Sequence, residues 1–167
     1  MTDEFKDDPT HGDATNPGLG RTKVVLVGVD FSATARHALA WALDYALHTD
    51  ASVHTLHVID RRWSPADLSA DPHTVQREVA ASEAAAAAEL RALTDEARGR
   101  LGALHEHVGY GRPADEIVRV ARELGADLIV IGSHGVDPVA HLFVGSVAER
   151  VVRNATCPVT VVRLPRP

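Results

Sequence analysis

The sequence has few of the features that assign a protein to a specialised class. It contains a single cysteine, Cys157, which excludes an internal disulfide and a zinc site built from cysteines. No apolar run approaches the roughly 18 residues of a membrane-spanning helix. The first residues, MTDEFKDD, are acidic where a secretory signal peptide would be basic and then apolar. We therefore expect a cytoplasmic protein without a membrane partner.

An excess of positive charge is also missing. The formal net charge is −6, whereas nucleic-acid binding without sequence preference needs a basic face. We expect no nucleic-acid partner. This charge does not exclude a small anionic ligand, because backbone amides bind phosphate at any net charge.

The chain is long enough for one domain with a sizeable core, since it has 167 residues of which 45% are apolar. Residues 1–21 are polar and are predicted to form a disordered tail, followed by one domain over 22–164 and a short C-terminal tail over 165–167. Within the domain, β-branched runs alternate with helical periodicity. This alternation predicts an α/β, Rossmann-like fold with a parallel sheet and helices on both faces.

Three local patterns predict where helices begin. Ser32 is predicted to cap the first helix. Ser146 and Glu149 match a capping box, S-x-x-E, for the last one. Residues 61–74 contain two prolines and show no periodicity, which predicts a long loop before the second helix.

Glycine and serine are concentrated after the predicted fourth strand, in the stretch VIGSHGVDPVAHLFVGS. Gly132 and Gly135 form one turn, and Gly145 and Ser146 begin a helix after an insert that lets the two turns meet. Glycine permits close approach to backbone amides, and the first amides of a helix lack internal partners. The pattern indicates a phosphate cradle, or else only a strand exit and a helix start. The Ser146 hydroxyl either contacts the phosphate or caps the helix.

Other candidate ligand residues follow from the predicted sheet, because ligands of such sheets bind beyond the carboxyl ends of the strands. Asp30 ends the first strand, where a carboxylate suits a ribose hydroxyl pair or an adenine amino group. It could equally cap the first helix. Val58 and Ile131 end two further strands and form either an apolar slot for a base or ordinary core.

The glycine spacing resembles the nucleotide-binding signature of the universal stress protein family. The segments VGVDFSATARHAL, LHVID, GRPADEIVRVARELGADLIVIGSHG and GSVAERVVRNATCPVTVVR resemble the same family in order, from about Lys23 to Arg163. The resemblance implies a five-stranded parallel sheet of order 3-2-1-4-5. It also implies that ATP or another adenine nucleotide lies between strands one and four.

The resemblance further implies a stress-response sensor or regulator that forms a homodimer through the last strand, about Pro158–Arg163. Asp30 would contact the ribose or the base, and Gly28 and Val58 would line the adenine region. The remaining positions are Ile131 and Gly132 beneath the ribose, and Gly135, Gly145, Ser146 and Val147 at the phosphates.

Two departures from the family pattern concern the phosphates. Asp137 and Pro138 stand where many members have basic or small polar residues. An inward Asp137 would weaken triphosphate binding or require Mg²⁺ as an intermediary. Ala148 replaces a hydroxyl residue of some members. These departures make binding of an adenine nucleotide in general better supported than binding of ATP in particular.

A metal site is the first alternative function, because His54 and His57 lie on one predicted strand and His105 and His107 on its expected neighbour. Residues i and i+2 of a strand share a face, while i and i+3 do not. His105 and His107 can therefore meet only one of the other two. Three imidazoles without an obvious fourth ligand do not make a convincing zinc site, so no metal is expected.

Two further alternatives remain. Neither a phosphate-binding loop of the form Gly-x4-Gly-Lys-Ser/Thr nor a Gly-x-Gly-x-x-Gly fingerprint is present, so we expect no catalytic residues and no dedicated enzyme, with slow ATP hydrolysis not excluded. The other alternative is a dimeric interaction module of the same family that binds no nucleotide.

Overall fold

A computed structural model describes residues 22–60, 71–134 and 145–164. The tails predicted over 1–21 and 165–167, together with Gly135, Asp137 and Pro138, lie outside the described residues. Within that part, five strands alternate with four helices. The elements are β1 Val24–Gly28, α1 Ala33–Thr49, β2 Ser52–Ile59, α2 Pro72–Arg98, β3 Leu104–Tyr110, α3 Pro113–Leu124, β4 Leu128–Gly132, α4 Ser146–Asn154 and β5 Val159–Val162.

The strands form one parallel sheet of order β3-β2-β1-β4-β5. The predicted α/β class and the order 3-2-1-4-5 are therefore confirmed. The strand order reverses between β1 and β4, whose carboxyl ends lie side by side with Gly28 opposite Ile131. This reversal is where ligands of open α/β sheets bind.

Helices cover both faces of the sheet, as predicted. On one face, Val25 and Val27 of β1 pack with α1 and with Leu90 of α2. On the other face, Leu26 packs with Ile117 of α3 and with α4. Successive strand residues point to opposite faces, and both faces of β1 are covered. The strand therefore needs residues without polar side chains at every position, as its sequence VVLVG has.

The first helix begins as predicted, because the Ser32 hydroxyl accepts the N–H of Ala35 at 3.1 Å. The predicted capping box of the last helix is wrong. Gly145, which has no side chain to cap with, is the N-cap of α4, and Ser146 is already its first residue. Glu149 bonds to Arg153 at 2.7 Å instead of reaching back to the helix start.

The loop predicted over residues 61–74 is also wrong at its end, because α2 begins at Pro72. The Asp71 carboxylate accepts the Thr74 N–H at 3.1 Å, and proline suits the first helical position because it needs no donor there. The rule that proline marks a loop therefore gave the wrong start for α2. In the part of the chain that the structure describes, no helix is long and apolar enough to cross a membrane.

Candidate functional site

Asp30 lies in the turn that joins β1 to α1. Its Oδ1 accepts the N–H of Ser32 at 3.1 Å, and Ser32 in turn caps α1. The alternative in which Asp30 caps the helix is therefore wrong, since it instead shapes the turn before the cap. Among the described residues, the second carboxylate oxygen of the half-buried Asp30 has no hydrogen-bond partner. It is available at the carboxyl end of β1.

The start of α4 contacts the part of the first glycine turn that the structure describes. The N–H of Gly145 donates to the carbonyl of Ser133 at 2.7 Å, which joins the start of α4 to the end of β4. The N–H of Ser133 donates to the carbonyl of Val162 at 2.8 Å, which ties the same turn to β5. The start of α4 is thereby held at the carboxyl end of β4.

Close packing explains why two of these positions are glycine. A Cβ on Gly132 would lie 3.1 Å from Cγ2 of Thr34 and 3.2 Å from the backbone nitrogen of Ala35. A Cβ on Gly145 would lie 3.2 Å from the carbonyl oxygen of Ser133. These glycines bring the first turns of α1 and α4 to the end of β4, where the strand order reverses.

The start of α4 offers several hydrogen-bonding groups. Its first N–H groups have no acceptor within the helix, and no side chain among the described residues caps them. The exposed Ser146 hydroxyl makes no hydrogen bond to the described residues and is not occupied as the cap. Val147 follows it, half-buried, while Ala148 is only 2% exposed and packs in the core. Position 148 therefore faces the core.

His134 lies in the first glycine turn, and sequence reasoning gave it no part in the site. Its Nδ1 shares a hydrogen bond with the Ser133 hydroxyl at 3.0 Å. Its Nε2 is buried and has no partner in the described part of the chain. Its place inside the glycine turn was the signal that could have identified it.

Three other residues predicted to line the site are buried in the protein. Gly28 is buried, and it packs so closely that a Cβ there would lie 3.1 Å from Cδ1 of Ile117 in α3. Val58 and Ile131 pack in the core cluster that α3 and α4 cover. Their side chains are thus part of the core, and these residues border the crevice through their position at the strand ends.

A pocket lies elsewhere, between α1 and the end of α2, and is lined mostly by leucine and alanine. Its position away from the strand ends gives it no share in this site.

His54, His105 and His107, here called the histidine cluster, lie on the sheet face covered by α3 and α4. His54 stands opposite His105, and its Nδ1 lies 2.9 Å from Nε2 of His107. The ring centroids of His54 and His105 are 4.6 Å apart. His57 is on the other face, so the prediction that only one of the two β2 histidines meets the pair is confirmed. In residues 22–60, 71–134 and 145–164, no three or more histidine, cysteine, aspartate or glutamate side chains are arranged so that they could hold a metal ion.

Protonation is disfavoured at two rings of the histidine cluster, His54 and His107. The pKa of His54 is lowered to about 4, chiefly because burial disfavours the charged ring and secondly because His105 and His107 are close. The pKa of His107 is lowered for the same reasons, burial first and His105 second, while Glu106 acts in the opposite direction. Glu106 itself faces away, towards α2, where it bonds Thr94 and Arg98. His54 and His107 are therefore neutral at pH 7.

Comparisons with known proteins agree on one family. The sequence model of the universal stress protein family matches residues 21–163. A universal stress protein of Methanocaldococcus jannaschii is 33% identical over 147 residues, which cover 86% of this chain and 84% of the relative. The structure of universal stress protein UspA from Lactobacillus plantarum matches with a TM-score of 0.75 at 28% identity, over 86% of this chain and 99% of the other.

Two similar structures contain nucleotides. One is a universal stress protein in complex with cAMP, with a TM-score of 0.65 at 25% identity over 86% of this chain and 98% of the other. The second is the universal stress protein from Archaeoglobus fulgidus in complex with dAMP, with a TM-score of 0.56 at 25% identity over 84% of this chain and 97% of the other. Both ligands combine adenine with a single phosphate.

Proposed function

Because the chain belongs to the universal stress protein family, we propose that it binds an adenine nucleotide at the carboxyl ends of β1 and β4. In this role it is a stress-response sensor or regulator of the cytoplasm. The observation that carries the proposal is the hydrogen bond from Gly145 to Ser133, which joins the two glycine turns beside Asp30. This contact brings anion-binding amides and a carboxylate to the same end of the sheet.

The phosphate is assigned to the start of α4. A helix of nine residues presents its first N–H groups and the positive end of its dipole there, with the Ser146 hydroxyl beside them. Gly135 belongs to the same phosphate cradle by its spacing in the sequence. Val147 contributes its backbone amide.

The nucleoside is assigned to the region between β1 and β4. The free oxygen of Asp30 accepts a hydrogen bond from a ribose hydroxyl or from the adenine amino group, while Gly28, Val58, Ile131 and Gly132 form the floor of the crevice. Relatives with cAMP and dAMP support a single adenosine phosphate as the minimal ligand. ATP, with Mg²⁺ to offset the charge of Asp137, is the larger ligand of the same site.

Thermal unfolding with AMP, cAMP, GTP and ATP plus Mg²⁺ tests the proposal. A ligand at about 100 times its Kd adds about 2.7 kcal/mol to the free energy of unfolding, which is a rise in Tm of about 5–10 °C. We expect this rise with adenine nucleotides and not with GTP. If no nucleotide at millimolar concentration raises the Tm, the protein is instead the dimeric interaction module that binds none. Phosphate release in the ATP sample measures any slow hydrolysis.

Asp30→Asn tests the assigned contact directly. An amide oxygen can still accept the Ser32 N–H, so the turn is retained, but the negative charge that strengthens a ligand hydrogen bond is lost. We expect the affinity for AMP to fall about tenfold, equivalent to about 1.4 kcal/mol, at an unchanged Tm of the free protein. Asp44→Asn, which changes an exposed side chain of α1, is the matched control. Equal affinities of the two variants would remove Asp30 from the site.

We also propose a homodimer through β5, about Pro158–Arg163. Among the described strands β5 pairs only with β4, and the carbonyls of Pro158 and Val162 accept from Ile129 of β4 and from Ser133 just after it. Alternation along a strand then directs the N–H of Val161 to the outer edge, where a second copy can pair.

Val161→Pro removes that outer donor while leaving the bonds to β4 intact, and Val161→Ala is its control. Sedimentation equilibrium should give a monomer for the proline variant and a dimer for the control. A wild-type monomer at micromolar concentration would overturn the β5 dimer.

A further inference from the structure

Phe31 has an unusual backbone conformation in the turn between Asp30 and Ser32. Its φ is 62°, in the left-handed region that a bulky L-residue rarely adopts. Such a conformation persists only where surrounding contacts hold it. The turn that carries Asp30 therefore depends on whatever packs against Phe31.

His57 makes one of these contacts, beside the packing of Phe31 against the core and the hydrogen bond from Nε of Arg36 to its carbonyl at 3.2 Å. Its ring centroid lies 4.4 Å from that of Phe31, with the planes tilted by 32°. Its Nδ1 lies 2.8 Å from the carbonyl oxygen of Val29, and because a carbonyl only accepts, Nδ1 carries the proton and donates. Val29 is tied to the same strand again, since its N–H donates to the carbonyl of Leu56 at 2.9 Å. His57 thus holds the chain at Val29, where β1 leaves the sheet.

The carboxylate of Asp30 depends on this turn for its direction. Its Oδ1 accepts the N–H of Ser32 across the Phe31 backbone, so the other oxygen is aimed only while Phe31 keeps its conformation. We propose that His57 is a positioning residue for the nucleotide site, which acts through Phe31 to aim the Asp30 carboxylate. This inference rests on the proposed nucleotide binding and adds a residue outside the glycine signature to it.

Two substitutions separate the two contacts of His57. His57→Asn places an amide N–H close to the position of Nδ1 and loses the ring against Phe31. His57→Phe keeps a ring and loses the donor. We expect each to weaken AMP binding about fivefold, since each removes one of the two contacts that His57 makes with the turn. His57→Ala, which removes both, should weaken it further.

His54→Asn is the matched control. It changes the same residue type on the same strand, but His54 lies on the opposite face and contacts the histidine cluster instead of the turn. Its AMP affinity should equal that of the wild type. If His54→Asn weakens AMP binding as much as His57→Asn, the effect is a general loss of sheet stability and the inference is overturned.

A double-mutant cycle with Asp30→Ala tests whether His57 acts through Asp30. Without the carboxylate there is nothing for His57 to aim, so His57→Phe should cause no further loss of affinity in that background. Additive losses would show that His57 acts independently of Asp30, which would overturn the proposal.

Hydrogen exchange of the Ser32 amide supplies a readout that needs no nucleotide. The amide is bonded to Asp30, so its exchange should accelerate in His57→Phe and remain unchanged in His54→Asn. If the wild type binds no nucleotide and the acceleration is still seen, the proposed function fails while the positioning of Asp30 stands. If nucleotide binds and neither affinity nor exchange changes in the His57 variants, the positioning role fails alone.

Discussion

The crevice at the ends of β1 and β4 and the histidine cluster on β2 and β3 are both groups of polar side chains on one sheet, but they differ in how their hydrogen bonds are used. In the crevice, one oxygen of Asp30, the Ser146 hydroxyl and Nε2 of His134 have no partner among the described residues. In the cluster, His54 and His107 bond to each other and stack. Unused hydrogen-bonding capacity is typical of a ligand site, whereas polar groups that bond to one another stabilise the fold.

The two regions also differ in what surrounds their glycines. A Cβ on Gly132, in the crevice, would press on the backbone of α1. A Cβ on Gly109, beyond the cluster on β3, would lie 2.9 Å from Cγ of Glu116, which is part of a long side chain. Backbone cannot give way as a side chain can, so the crevice is the more rigid region.

The largest expected effect is therefore that of Gly132→Ala, which would push α1 away from β4. We expect a loss of about 1–3 kcal/mol in the free energy of unfolding, measured in urea. Gly109→Ala should cost less because Glu116 can rotate, although its bond to Arg119 must then change. Gly99→Ala, with nothing within 4 Å of its Cβ, is the control. Equal costs for positions 132 and 109 would contradict the difference in rigidity.

Acidification should act on the histidine cluster through His54. The folded-state pKa of His54 is about 4, below the value of 6.5 for the free side chain, so the unfolded chain binds more protons between these two pH values. Stability is therefore complete above pH 6.5 and falls as the pH drops towards 4. The ring is partly exposed, so we discount the full shift for screening by water and expect a loss of about 1 kcal/mol.

Urea unfolding of the wild type and of His54→Gln at pH 7 and pH 4.5 measures this loss. The glutamine variant should lose less stability between the two pH values, whereas His48→Gln, at an exposed position, should follow the wild type. A parallel decline of all three proteins would show that other groups dominate the acid response.

The smallest effect is expected for Ser146→Ala. Ser146 is not the cap of α4, so the free energy of unfolding should stay constant while AMP binding weakens by about 0.5–1 kcal/mol. Ser32→Ala removes a true cap and should reverse this pattern, with about 1 kcal/mol lost from stability. A stability loss in Ser146→Ala would show that its hydroxyl does cap the helix.

Much of the fold could be predicted from local patterns. The alternation of β-branched runs with helical periodicity predicted the parallel sheet and the helices on both of its faces. Helix starts were less predictable. Ser32 caps its helix, but Ser146 does not: Gly145 is the N-cap of α4, and its own N–H bonds to the carbonyl of Ser133. A contact between distant residues cannot be inferred from a local capping pattern.

The candidate site shows the same division. The sequence by itself determined the sheet, the two glycine turns and the presence of Asp30 beside them, because hydrophobic periodicity and glycine spacing are local properties of the chain. Only the tertiary structure decided that His57 supports the turn of Asp30 while His54 joins His105 and His107. Strand register and the choice of face bring together side chains that are far apart in sequence, and packing decides which of them retain hydrogen-bonding capacity for a ligand.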